Sequence, residues 1–228
     1  MARITFKNPV ITAPDIIYTV RHGQSIGNAR GMDDESLANL PNHQFPLTEL
    51  GNAQIALSAK FIYDERIIKK DTGLYTSNFL RAQESMEGIL RNYEGCFEVT
   101  VDPRLDEWWK GIFHSLSREE ISKHYPIEEH ISKREGWHQY KPLQGQAGKD
   151  VEINLIAFLN CIPEKEIVIA GHGKSFAFLR RLLTNQPTDI NCKYEYPNNG
   201  EIWKFTRKED KYYHFKSLFT PKLSETSE

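Results

Sequence analysis

Residues 16–25 read Ile16-Ile17-Tyr18-Thr19-Val20-Arg21-His22-Gly23-Gln24-Ser25, and a second stretch, Glu166 to Gly173, repeats the theme of an apolar run that ends in Gly171-His172-Gly173. The first five residues are β-rich with no polar alternation, as expected of a strand covered on both faces, and such strands belong to parallel sheets flanked by helices. The run from Glu166 to Ala170 reads the same way. Each of these two strands would deliver a His-Gly pair at its carboxyl end.

Working outward, helical and extended patterns alternate. Thr48 is a candidate N-cap for a helix whose apolar stripe is Leu50, Ala53, Leu57 and Phe61. Leu74-Tyr75-Thr76 predicts a strand, and Phe79, Ala82, Met86, Ile89 and Leu90 follow at helical spacing. Phe97 to Val101 predicts another strand, Val151 to Leu159 and Ser175 to Leu183 predict helices, and Ile202 to Thr206 with Tyr212 to Phe215 predict a hairpin. This order implies an α/β fold with three layers, a mostly parallel central sheet flanked by helices. No repeat or linker divides residues 1–228, so one domain is expected. Two stretches break the alternation. They are 27–45, rich in Asn, Asp and small residues, and 102–149, which contains Trp108, Trp109, Trp137, His114, His124, His130 and His138. The second is expected to be a lid or specificity insertion over the sheet ends. Its histidines are too irregularly spaced for a zinc site, its aromatics are expected to pack the insertion, and the tail from Ser224 to Glu228 is expected to fray.

Composition narrows the function. Among 228 residues, 29 Lys plus Arg stand against 31 Asp plus Glu, a net charge of −2 that gives no reason to expect nucleic acid or an anionic membrane as partner. Hydrophobic residues at 39% with 11% aromatics exclude a disordered or collagen-like chain. The start carries Arg3 and Lys7 without a long apolar run, so a cytoplasmic setting is expected. Cys96, Cys161 and Cys192 are odd in number and without a CxxC pair, so buried reduced thiols are expected. Oligomeric state is left open.

Ligands of open α/β sheets collect at the carboxyl ends of the strands. Here those ends would bring Arg21 and His22, Ser77 with Arg81 one helical turn later, and His172 into one cleft. Such a cluster is cationic within a nearly neutral chain, and a phosphate is its natural ligand. Arginine's planar fork matches phosphate oxygens, and a neutral imidazole is a competent nucleophile toward phosphorus. The leaving oxygen needs a proton, and Glu107, in Leu105-Asp106-Glu107, is the candidate general acid, with Asp106 and Glu35 as rivals.

These residues resemble a family. Arg21-His22-Gly23-Gln24-Ser25-Ile26-Gly27-Asn28 is similar to the Arg-His-Gly-x-Ser-x-x-Asn signature of the histidine phosphatase superfamily, which includes cofactor-dependent phosphoglycerate mutases and many phosphomonoesterases. Pro46-Leu47-Thr48-Glu49-Leu50-Gly51, Ser77-Asn78-Phe79-Leu80-Arg81-Ala82, Leu105-Asp106-Glu107 and His172-Gly173 resemble further family segments in family order. The resemblance implies a phosphoglycerate mutase-like fold, with His22 as the phosphorylated nucleophile. It also implies that Arg21, Arg81 and His172 hold phosphate oxygens, that Asn28 adds a hydrogen bond, and that Glu107 is the general acid. It implies neither metal nor cofactor, and a small phosphorylated substrate. Gln24 and Gly27 stand where many mutases carry Glu and an aromatic, which weakens a mutase reading. Gly145-Gln146-Ala147 replaces a common Gly-Glu-Ser, and Asn154 an arginine. A metal-independent phosphomonoesterase is therefore expected, with a mutase or a catalytically silent phosphoryl-binding module as alternatives. A bell-shaped pH profile with a mildly acidic optimum is also expected.

Overall fold

The computed structural model describes residues 13–30, 37, 40–114, 116–187, 195–208 and 212–222. Its strands are β1 (Ile16–Arg21), β2 (Gly73–Thr76), β3 (Thr100–Val101), β4 (Glu166–Gly171), β5 (Ile202–Arg207) and β6 (Tyr213–Phe219). They form one six-stranded sheet in the order β3-β2-β4-β1-β5-β6. The first four strands of that order run parallel, while β5 pairs antiparallel with β1 and β6 antiparallel with β5. The principal helices are α1 (Ile26–Arg30), α2 (Glu49–Asp64), α3 (Leu80–Leu90), α4 (Arg118–His124), α5 (Pro126–Gln139), α6 (Gly148–Leu159) and α7 (Gly173–Leu183). None of the described helices is long and apolar enough to cross a membrane.

The continuous apolar character of β1 and β4 follows from two cores, one on each face. Tyr18, Val20, Val168 and Ala170 pack with Ile55, Ile62, Met86 and Ile89 of α2 and α3. Ile17, Ile167 and Ile169 point the other way, onto Leu155 and Phe158 of α6 and Phe176 and Leu179 of α7. Period-2 alternation thus distributes apolar side chains to both faces, which makes the three layers. Thr48 caps α2 as expected, its Oγ1 accepting the Gly51 N–H at 3.0 Å. Gly51 itself lies against the loop after β1, where a Cβ on it would come 2.1 Å from the Gln24 carbonyl oxygen and a Cβ on Gly23 would come 2.3 Å from that of Gly51. Only glycines allow this seam.

Register decides what the strands deliver. In the β1–β4 ladder Arg21 lies opposite Gly171, and in the β2–β4 ladder Thr76 lies opposite Ala170. His22, His172 and Ser77 therefore leave the sheet side by side, and the His22 N–H donates to the Gly171 carbonyl at 2.9 Å.

Two expectations need correction. The strand expected over Phe97–Val101 pairs only at Thr100 and Val101, opposite Tyr75 and Thr76 at the end of the short β2, while Phe97 and Val99 pack against the α2–α3 core from outside the sheet. Cys96 and Cys161 are exposed, the first in the turn after α3 and the second just beyond α6, because both fall in connections rather than on core-facing positions. Cys192, Glu35 and the tail from Ser224 to Glu228 lie outside the described residues.

The 102–149 stretch contains α4 and α5 and, in front of them, the turn 111–113. Ser117 caps α4 in a capping box with Glu120. No residue of α5 is buried, and its backbone breaks at Gly136, where φ is 69°. Beyond that break Trp137 stacks on Trp108 at 5.8 Å, and His138 meets the buried Glu152 of α6 at 3.1 Å. Glu152 also accepts both arms of the Arg181 fork from α7.

Candidate active site

His22 is 3% and His172 0% exposed, and their rings meet edge to face with centroids 5.3 Å apart. His22 Nδ1 lies 2.6 Å from the Gly23 carbonyl oxygen, while Arg81 donates its Nε–H to His22 Nε2 at 3.3 Å. Both contacts are satisfied by one tautomer, with the proton on Nδ1 and the lone pair on Nε2. His172 Nε2 lies 2.7 Å from Ser77 Oγ, which also accepts the Phe79 N–H at 3.2 Å. Phe79 closes this corner, edge-on to His172 at 4.8 Å and beneath the Arg81 guanidinium at 4.6 Å.

Burial and neighbouring cations shape the protonation states. Burial first, then Arg81 and Arg21, hold His22 well below its ordinary 6.5, against the opposing bond to Gly23. Burial, Arg81, His22 and Arg21 do the same to His172. Both imidazoles are thus neutral at physiological pH. Burial also lowers Arg81 to about 10, opposed by Glu107, which leaves the guanidinium charged. Arg21 is lowered by burial, again with Glu107 as the leading opposite charge.

The arginines are aimed by carbonyl groups. Arg81 donates Nη1–H to the Asn42 carbonyl at 2.8 Å and to Asn42 Oδ1 at 3.2 Å. Arg21 donates Nη1–H to the Pro197 carbonyl at 2.6 Å. Among the described residues, Arg21 Nε and His172 Nδ1 are buried without a hydrogen-bond partner. A buried polar atom left unmet costs about 1–3 kcal/mol, so two of them within one cationic cluster mark a place built for an anion.

Glu107 sits at the amino end of α7. Its Oε1 accepts from the N–H of Trp108 at 2.9 Å and from both the N–H and Oγ of Ser175 at 3.2 Å, and its Oε2 accepts the Lys174 N–H at 3.4 Å. Asp106 is occupied otherwise, accepting the Asn78 N–H at 2.8 Å, and burial pushes its carboxyl up. Asn28 lies on the exposed side of α1. Its Oδ1 accepts from Ser25 N–H and Ser25 Oγ, both at 3.2 Å, and from Asn199 Nδ2 at 3.3 Å, the pattern of a turn cap next to the cluster.

The turn 197–200 was not anticipated. Besides the Pro197 carbonyl, it offers the Asn199 Nδ2–H to the His22 carbonyl at 2.9 Å and the Gly200 N–H to the Arg21 carbonyl at 3.0 Å. Buried Glu201 fastens it: Oε1 accepts from Trp203 Nε1 and Ser217 Oγ, both at 2.7 Å, and Oε2 from Asn198 N–H at 2.8 Å and Nδ2–H at 3.0 Å. The only sequence sign of it is the turn-forming Asn198-Asn199-Gly200 ahead of β5. Asn42 was missed as well, since it contributes mainly a backbone carbonyl.

No curated protein matches the chain closely. Among solved structures, an α-ribazole phosphatase from Shigella flexneri superposes with a TM-score of 0.71 at 18% identity, covering 89% of this chain and 95% of that one. A mycobacterial glucosyl-3-phosphoglycerate phosphatase complexed with VO3 gives 0.70 at 20% identity, covering 91% and 100%. YhfR of Bacillus stearothermophilus gives 0.68 at 20% identity, covering 89% and 95%. At these identities the likeness is one of fold. The model of the histidine phosphatase superfamily (branch 1) matches residues 17–217, the span that runs from β1 through both histidine-bearing strand ends to β6, and the chain belongs to that superfamily.

Proposed function

We propose that the protein is a metal-independent phosphomonoesterase that works through a phosphohistidine on His22. The observation that carries this reading is the state of His22, with Nδ1–H tied to the Gly23 carbonyl and Nε2 turned toward Arg81. A neutral imidazole fixed in that tautomer presents its lone pair where the arginine would hold a phosphoryl group. Arg21, Arg81 and His172 bind the three non-bridging oxygens. The Ser77 hydroxyl, whose lone pair faces the Phe79 N–H, donates a hydrogen bond to His172 Nε2, so that the ring's own proton sits on Nδ1 and is available to a phosphate oxygen. Asn28 adds a weaker contact through its amide.

In the first half-reaction His22 Nε2 attacks phosphorus, the P–O bond to the leaving group breaks, and Glu107 gives its proton to the departing oxygen. In the second, Glu107 takes a proton from water as the water oxygen attacks phosphorus, and the P–N bond breaks. Inorganic phosphate leaves, and neutral His22 and protonated Glu107 are restored. No step uses a metal or cofactor. The VO3 in the mycobacterial neighbour's structure supports a phosphate-sized anion site on this fold. Gln24 and Gly27 support hydrolysis rather than mutase chemistry.

Phosphate release from para-nitrophenyl phosphate and from an alkyl phosphate, with chelator present, tests the reading. His22→Ala abolishes both activities. Glu107→Gln lowers alkyl ester turnover about 10²–10⁴-fold and affects the nitrophenyl ester less, because nitrophenolate leaves without a proton. Undiminished turnover in His22→Ala refutes the mechanism.

A further inference from the structure

β3 is only two residues long, both exposed, and it lies at the edge of the sheet. Past its last pair the Asp102 N–H still reaches the Thr76 carbonyl at 2.8 Å, and there the two chains part. One turns through Ser77, Asn78 and Phe79 into α3 and carries Arg81, while the other turns through 103–105 and carries Glu107. So short a ladder does not by itself fix where Glu107 stands relative to Arg81. The remaining anchors of Glu107 face the opposite wall. Leu105 and Trp108 are buried in the core under α6 and α7, and the carboxylate accepts the N–H groups of Lys174 and Ser175 at the start of α7. These contacts relate Glu107 to His172, the N-cap of α7, and leave its relation to α3 open.

Asp106 closes that gap. Its Oδ1 accepts the Asn78 N–H at 2.8 Å. Asn78 stands between Ser77, which meets His172, and Phe79, whose ring lies beneath the Arg81 guanidinium. The Asp106 carbonyl accepts the Ser175 hydroxyl at 2.8 Å. One residue thus grips the loop after β2 with its side chain and α7 with its main chain, and Glu107 is its immediate neighbour in sequence. The grip on the Asn78 N–H calls for an oxygen acceptor and not for a charge. Burial pushes the Asp106 carboxyl up, helped by Asp102, against the pull of the Asn78 amides and Arg81.

We propose that Asp106 is a positioning residue for the general acid. By tying the loop after β2 to the loop that carries Glu107, it sets the Glu107 carboxyl at proton-transfer distance from the leaving oxygen of an ester whose phosphate Arg81 grips. This rests on the phosphomonoesterase reading above and deepens it. Proton transfer needs heavy atoms about 2.6–3.2 Å apart, and a misplacement of about 1 Å costs up to about 10²-fold in rate. A hydrogen bond made at 106 is therefore felt at the reacting oxygen, although Asp106 does not touch it.

The test sets kcat/KM for butyl phosphate against kcat/KM for para-nitrophenyl phosphate in the wild type, Asp106→Ala, Asp106→Asn and, as reference, Glu107→Gln. This parameter reads the first half-reaction, in which only the butyl ester calls on the Glu107 proton. Asp106→Ala is expected to lower the butyl ester about tenfold and the nitrophenyl ester less than about twofold. Asp106→Asn keeps an oxygen for the Asn78 N–H, and both esters are expected to stay within about twofold of wild type. A loss shared equally by the two esters in Asp106→Ala, or no loss, overturns the inference. A selective loss of the butyl ester in Asp106→Asn overturns it as well, since the proton at 106 would then matter rather than the tie. If neither ester is hydrolysed, or if Glu107→Gln does not separate them, the proposed function fails, and the amide 1H–15N shifts of Lys174 and Ser175, which donate to Glu107, decide the positioning independently. Shifts that move in Asp106→Ala and return in Asp106→Asn support it, and shifts that stay at their wild-type values in both, or move equally in both, overturn it.

Discussion

Glu201 offers the sharpest test of how the cationic cluster is held, because its carboxylate is 7% exposed and takes four donors. In Glu201→Gln the shape is kept but one oxygen becomes an NH2. If the NH2 faces the Oε1 side, the Ser217 hydroxyl can turn to accept from it, but the Trp203 indole N–H has no acceptor to replace the one lost. If it faces the other side, the Asn198 side-chain amide can flip, but the Asn198 backbone N–H cannot. Either way one buried donor is stranded, a loss of about 1–3 kcal/mol. For a chain of this length that lowers Tm by about 2–12 °C. Glu201→Ala strands both donors and costs about twice as much. The turn 197–200 then loosens, and with it the Pro197 carbonyl that aims Arg21. Scanning calorimetry reads the first effect. Inhibition by vanadate, assayed well below Tm, reads the second, with an expected weakening of about tenfold for Glu201→Gln. A merely structural role would lower Tm and leave the vanadate inhibition constant untouched. That result, or a Tm within 1 °C of wild type, refutes the reasoning.

Two further outcomes follow from the same geometry. His22 and His172 are held well below 6.5 in the folded protein, so below that pH the unfolded chain gains protons that the native state refuses. Stability is therefore full above 6.5 and falls progressively as the pH is lowered below it; a urea midpoint that stays constant between pH 5 and 7 contradicts this. Gly51→Ala would set a Cβ 2.1 Å from the Gln24 carbonyl oxygen, against fixed backbone on both sides of the seam. It is expected to cost about 1–3 kcal/mol and to lower kcat by shifting the loop that follows His22; wild-type melting and turnover in this variant would show that the seam is slack.

Much of the architecture was legible because buried strands declare themselves. Ile16 to Val20 and Glu166 to Ala170 are apolar on both faces, and their register brings His22 beside His172. The register itself is a long-range property and could not be read from either segment. Phe97 to Val101 misled because half-buried alternation at Phe97 and Val99 arises equally from packing on the rim of a core, without a ladder. The cysteines misled because a thiol's preference for the interior is weaker than the demands of the connections that carry Cys96 and Cys161. In the candidate site, side chains that carry charge were found, whereas Asn42, Pro197 and Asn199 were not. The first two act on the arginines largely through backbone oxygens, which every residue type possesses, and all three are positioned by partners far away in sequence.

The attachment of α5 has a consequence for motion. This helix buries none of its own residues, so its hold on the domain depends on a few contacts: Trp137 on Trp108, the tie from His138 through Glu152 to Arg181, the bond from buried Tyr140 to Glu128, and Lys149 on Gln139. Amide exchange in α5 should accordingly report a sub-global opening of low free energy, while β1 and β4, sealed on both faces, exchange only when the whole molecule unfolds. A segment that detaches separately from the sheet can move while His22, His172, Arg21 and Arg81 stay in register.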